Sequence, residues 1–118
     1  MKFACLFYHN EDAMTAFPAS QRDALAASCK AWVEGLQREG QYVDALGLAS
    51  TQTATTVRVR DGQVSYTDGP FAETKEQLGG LTVIEARDLD EALRIASKIS
   101  VAKTGSIEVR PLFDQLGK

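Results

Sequence analysis

Six side chains in this 118-residue chain are of types that could hold a small molecule or move a proton on it: His9, Arg58, Asp68, Glu73, Lys75 and Arg110. His9 is the lone histidine, the side-chain type suited to general acid–base work near neutrality. Were Asp68 folded over the end of the first strand, it could orient His9 as a general base. The reaction would then be cofactor-free proton transfer. The plainer reading of His9 is an exposed strand end, since one histidine in a sequence carries no geometry. Asp68 has its own plain reading as a turn-former. Arg58 and Arg110 offer planar forks of donors that match a carboxylate or phosphate. Their simpler role is pairing with Glu85, Glu108 or another carboxylate. Glu73, Lys75 and Glu76 read either as a solvated, salt-bridged face or as the rim of a ligand site.

Other chemistries leave no trace. The chain has no Walker pattern and no GxGxxG. One histidine and two separated cysteines give no zinc spacing, so neither a cofactor nor a metal is expected. Ser65 and Ser106 lack a nucleophile elbow. Cys5 and Cys29 are too few for a disulfide framework and read as buried free thiols of a cytoplasmic protein. The net charge of -3, with no basic stripe, argues against direct nucleic-acid binding. No apolar run approaches a membrane span, and the first residues are not expected to form a signal peptide.

The elements that must position these groups follow from spacing. Lys2 to Tyr8, nearly all apolar, predicts a strand buried on both faces. Glu11 to Pro18 reads as a connector. Ser20 is the expected cap of a helix running to about Glu39, its apolar face formed by Leu25, Cys29, Trp32, Val33 and Leu36. Gln41 to Leu48 is the second strand, with Tyr42, Leu46 and Leu48 sharing one parity. Thr55 to Thr67 is a hairpin turning at Asp61-Gly62, the preferred pair for a type I′ turn. That turn opposes Val59 with Val64 and Val57 with Tyr66 on one face, Arg58 with Ser65 and Thr56 with Thr67 on the other.

Then comes a central stretch, Asp68 to Gly80. Asp68-Gly69-Pro70 predicts a stiff corner, with Asp68 bonding to main-chain amides just downstream. Phe71 is expected to anchor it in the core, Glu73 to Leu78 to make one helical turn, and Gly79 to stop that turn. Leu81 to Ala86 is a strand. Asp88 or Asp90 starts a second helix with a stripe of Leu89, Ala92, Leu93, Ala96 and Ile99. Ser106 to Leu112 is the last strand, Ile107 and Val109 inward, and Phe113 to Lys118 a tail.

The order describes a single α+β domain over residues 1–118, a ferredoxin-like βαββαβ unit with an inserted hairpin. Two helices cover one face of such a sheet, yet the strands carry apolar residues on both. A symmetric dimer, sheet against sheet, would cover the rest and form a cleft for a small ligand.

Thr55-Thr56-Val57-Arg58-Val59-Arg60-Asp61-Gly62, Thr67 to Gly80 with Asp68-Gly69-Pro70-Phe71 at its heart, and the ending Ser106-Ile107-Glu108-Val109-Arg110-Pro111-Leu112 resemble the YCII-related proteins of the DGPF type. The resemblance spans nearly the whole chain. It implies a dimeric α/β barrel of ferredoxin-like units. Some relatives are regarded as enzymes with a His–Asp pair whose histidine lies in the first helix. Here Gln21 to Glu39 has none, so that pair does not carry over to His9. Others are joined to, or encoded beside, sigma factors of the extracytoplasmic-function type. Two functions follow as expectations. The first is a homodimer binding a small polar or anionic molecule at the central loop and strand ends, with or without catalysis. The second is a regulatory or interaction module serving such a sigma factor.

Overall fold

The computed structural model describes residues 1–113, so all but the first residue of the expected tail lies outside the described residues. In chain order the elements are β1 (Lys2–His9), α1 (Glu11–Ala16), α2 (Ala19–Arg38), β2 (Tyr42–Gly47), β3 (Thr55–Arg60), β4 (Gln63–Asp68), β5 (Gln77–Glu85), α3 (Leu89–Ser97) and β6 (Ser106–Pro111). Single 3-10 turns lie at Thr51–Thr53 and Ser100–Lys103. The main sheet has the order β2–β5–β1–β6 with every neighbouring pair antiparallel. This α+β arrangement is compatible with the expected ferredoxin-like unit. The β3–β4 hairpin forms a separate two-stranded sheet.

β1 lies inside the main sheet, between β5 and β6, but is not buried on both faces as expected, because the helices cover one face only. Its odd residues Phe3 and Cys5 are buried with Ile84 of β5, Leu36 of α2 and Ala92 and Ala96 of α3. The two alanines let α3 approach the sheet closely. The Trp32 indole N–H donates to the Ile95 carbonyl at 2.9 Å, tying α2 to α3. Its ring meets Phe7 edge-on, with centroids 6.1 Å apart. Burial pushes the Cys5 thiol up to about 11, so it stays protonated and unreactive at neutral pH. Both cysteines are free.

The opposite face has a different character. Strand alternation puts Leu6 of β1, its partner Leu81 of β5 and Leu46 of β2 there in one row, with Ala4 opposite Val83 in the next. The buried helix residues all belong to the other layer. The chain thus carries an apolar sheet face that its own helices leave alone.

The hairpin follows its turn chemistry. Asp61 at φ 52° and Gly62 at φ 75° have the left-handed conformations of a type I′ turn. The pairs Val59–Val64, Val57–Tyr66, Arg58–Ser65 and Thr56–Thr67 fall as expected. The hairpin stands off the main sheet and gives the chain a flat outline of 47 × 45 × 18 Å. Its radius of gyration is 16.3 Å, against about 13.5 Å for a compact chain of this length.

Several local expectations are corrected. The connector Glu11 to Pro18 contains α1, capped by Asn10, whose Oδ1 accepts the Ala13 N–H at 2.9 Å. Ser20 does not cap α2. That helix starts two residues earlier, with Pro18 at the cap position and no side-chain cap, since proline supplies a suitable φ without a donor to satisfy. A bulge between Tyr42 and Asp44 puts Tyr42 on the helix side and Leu46 on the open side, so they do not share a face. Glu73 to Leu78 is not a helical turn. Thr74 Oγ1 donates to the Glu76 carbonyl and Gln77 Nε2 to the Thr74 carbonyl, both at 2.7 Å; these local bonds hold a bent loop in place of a helix. β5 therefore begins at Gln77, and Gly79 lies within it. On α3 the packing is carried by Ala92, Ile95 and Ala96, while Leu89 and Leu93 are exposed.

Asp88 caps α3, its Oδ1 accepting the Glu91 N–H at 2.9 Å. Asp88→Ala is expected to lower the unfolding free energy by about 1 kcal/mol in urea titrations. Gly105→Ala should cost more, because a Cβ there would lie 2.1 Å from the main-chain oxygen of Tyr8, which cannot swing aside.

Candidate functional site

The central loop forms the roof of a cavity of about 530 Å³. Its corner is held by residues of β3 and the residue before it, not, as expected, by Asp68 bonding to amides downstream. Gly69, at φ 102°, donates its N–H to the Ala54 carbonyl at 2.8 Å. Thr56 Oγ1 donates to the Gly69 carbonyl at 2.9 Å and Arg58 Nη2 to that of Phe71 at 3.2 Å. Asp68 makes no side-chain hydrogen bond among the described residues. Phe71 is not a core anchor: it is 80% exposed and stands at the cavity rim. With its carbonyl tied to Arg58, the loop runs over the cavity and leaves the ring outside.

Tyr8, Leu78 and Glu76 form part of the wall, and threonines 51, 55, 56 and 74 supply hydroxyls. Glu76 Oε1 accepts from Ser106 Oγ at 2.8 Å, fastening the loop to β6. The Tyr8 hydroxyl donates to Glu108 Oε1 at 3.3 Å. Glu108 also accepts from Arg110, at 3.0 Å from Nε and more closely from Nη2. The Arg110 bond holds the Glu108 carboxyl below its usual range. Desolvation, then the Glu108 charge, raises the Tyr8 phenol, which therefore remains a donor at neutral pH.

A second cavity, again of about 530 Å³, is lined by His9, Glu11, Asp12, Leu48, Ser50 and Gln52 among others. The imidazole lies against Gly79, where a Cβ would come 2.2 Å from its Cε1. The β1–β5 register shifts at this point, between Phe7 and Tyr8. Glu11 links the two cavities. Its carboxylate accepts from Ser50 Oγ at 2.7 Å and Thr51 N–H at 2.9 Å, and its own N–H donates to Gln77 Oε1 at 3.1 Å. The Thr51 main-chain bond, then Ser50, holds the Glu11 carboxyl below the ordinary carboxylate range.

The residues singled out in the sequence are thus dispersed. His9 lines the second cavity, while Asp68 is exposed at the end of β4 opposite Thr55. No hydrogen bond or ion pair joins the two among the described residues. Arg58 braces the loop at the first cavity, and Arg110 is paired with Glu108. Glu73 and Lys75 are exposed on the loop with no hydrogen bond or ion pair among the described residues. Sequence reasoning missed Tyr8, Glu11 and Gln77 as builders; of the charges it left open between a solvated face and a ligand rim, Glu76 lines the cavity. Only Tyr8 left a signal, its even parity in β1 marking it for the open face.

Fold and cavities define a small α+β protein with a loop-roofed pocket beside an uncovered sheet face. The chain belongs to the YCII-related family, whose domain model matches residues 1–115. It is 38% identical over 114 residues to an uncharacterised protein of Rhizobium meliloti (strain 1021), covering 95% of this chain and 92% of that one.

Gly79→Ala is expected to displace the imidazole rather than unfold the chain, because the clashing atoms belong to a side chain that can swing. With one histidine, its NMR ring signals report this unambiguously, and adding His9→Ala should restore the stability lost. Glu11 gives a pH signature. Its lowered carboxyl stabilises the fold above its usual value of 4.5, and that contribution is lost as pH falls through the lower folded value. The advantage of wild type over Glu11→Gln in urea midpoint should therefore be full at pH 7 and shrink below about pH 4.5.

Proposed function

We propose that the protein is a homodimer that holds a small polar or anionic molecule in the cavity beneath the central loop. The observation that carries this reading is surplus surface. The chain exposes 7969 Å², roughly 1,700 Å² more than the roughly 6,300 Å² expected of a compact monomer of its 12.8 kDa. An obligate homodimer buries about 1,000–2,500 Å² per partner, so the surplus is what one such interface would remove. The open sheet face has the right anatomy, an apolar centre of Leu6, Leu81, Val83 and Leu46 with Asp44, Glu85, Glu108 and Arg110 around it. Two such faces packed together make the dimeric α/β barrel that the DGPF-type motif implies.

The cavity suits a molecule with an apolar body and several hydrogen-bonding groups. The Thr51 and Thr55 hydroxyls answer carbonyl or hydroxyl groups, the Tyr8 phenol oxygen, whose proton goes to Glu108, accepts from a ligand hydroxyl, and Arg58, which braces the loop through the Phe71 carbonyl, is the cation offered to an acidic group. Where the protein is catalytic, the reaction is proton transfer, with His9 and Asp68 the first residues to test, each from its own position.

A panel of short hydroxylated and keto carboxylic acids, screened by thermal shift and followed by calorimetry, tests the binding claim. A bound member should lose at least about tenfold in affinity with Tyr8→Phe or Arg58→Ala, a single charge-assisted or neutral hydrogen bond each. Unchanged affinity in both variants places the ligand elsewhere. Unchanged turnover in His9→Ala and Asp68→Ala removes those two from any catalysis.

The second reading, a module serving an extracytoplasmic-function sigma factor, draws support from the exposed apolar side of the hairpin, where Tyr66 is 72% exposed. Mixed with such a factor, the purified protein should then sediment as a hetero-complex. Separate boundaries at micromolar concentration count against it.

A further inference from the structure

We infer that in the dimer the β3–β4 arm of each protomer lies across the central-loop cavity of the other, so that the partner's Tyr66 and Val57 form its missing wall against Phe71. This rests on the dimer proposed above and goes beyond it, because a sheet-to-sheet dimer alone leaves the arm bare.

The arm has two faces with different tasks. Its polar face already serves its own chain, through Thr56 on the Gly69 carbonyl and Arg58 on the Phe71 carbonyl. Its apolar face, Val57, Val59, Val64 and Tyr66, therefore points away from its own loop and is exposed throughout. A two-stranded ribbon is marginally stable by itself, and four apolar residues in one patch on a projecting arm call for a cover. The main sheet of the same chain does not supply one, since the hairpin forms a sheet apart.

The cavity has the complementary lack. It opens to solvent on one side, and the exposed Phe71 ring stands at that opening. Under two-fold symmetry an arm that reaches the partner's cavity is matched by the partner's arm on its own, so the contact is made twice. The surplus matches one obligate interface, of which sheet face and arms would be parts. The occupant is a second copy for that reason: the uncovered arm, the uncovered rim and the excess surface occur on the same chain.

The test uses the full chain. Val57→Lys and Tyr66→Lys alter exposed side chains that meet only their neighbours on the same hairpin face and no part of the main core, so both variants should fold. Sedimentation equilibrium should show wild type as a dimer and each variant with a dissociation constant raised at least about 30-fold, as for a buried aromatic anchor. Separately, Phe71→Cys places a thiol at the rim; Cys5 is buried and Cys29 half-buried, so their reaction with a maleimide is slow. The introduced thiol should react slowly when the protein is dimeric and several-fold faster on dilution or with Tyr66→Lys added. A monomeric wild type overturns the dimer and this inference together. A dimer indifferent to both lysine variants overturns the inference and leaves the dimer standing. A weakened dimer whose rim thiol reacts equally fast in both states shows arm against arm, and overturns the wall.

Discussion

The structure depends on an imbalance of cover. Its main sheet is apolar on both sides, and α2 and α3 send their buried side chains into one layer only. Burying apolar surface contributes about 25 cal/mol per Å², so a row of half-buried Leu6 and Leu81 beside an exposed Leu46 is a standing drive toward association. The hairpin sharpens the imbalance by projecting a second apolar strip beyond the sheet. Flat shape, excess surface and uncovered residues are three views of the same deficit.

The central loop converts this architecture into a pocket. Its main-chain carbonyls at Gly69 and Phe71 are taken by side chains of β3, and Glu76 fastens its other end to β6. Hairpin, loop and main sheet are thereby linked through directional bonds rather than a shared core. Whatever moves the arm must move the roof of the cavity. Glu11 and Gln77 extend the linkage to α1 and the pocket where His9 sits.

Where the sequence was legible, the deciding interaction was local. Asp61-Gly62 dictates a turn, the turn dictates a register, and all four expected cross-strand pairs follow. Asp88 caps its helix through a side chain three residues from its partner amide. The open apolar face was legible too, since parity along a strand survives folding. The failures are equally physical. Phe71 looked like core because it is aromatic, but its place is set by a bond from Arg58, thirteen residues away, to its carbonyl. Thr74 and Gln77 unmade a helical turn by satisfying the main chain themselves. Tyr42 and Leu46 parted company at a bulge that no spacing announces. His9 and Asp68 could be proposed as partners only because a sequence gives residue types without distances. The cavity builder Glu11 was hidden among solvated-looking charges, and spacing left Glu76 with two readings.

The central claim is that this chain finishes its fold only with a second copy. Thermal unfolding of the purified protein across a hundredfold range of concentration tests it most directly, because mass action raises the melting temperature of a dimer that unfolds to separate chains. A midpoint that climbs steadily with concentration is the result this account requires. One that stays fixed, with a single cooperative transition at every dilution, would show a self-sufficient protomer and contradict it.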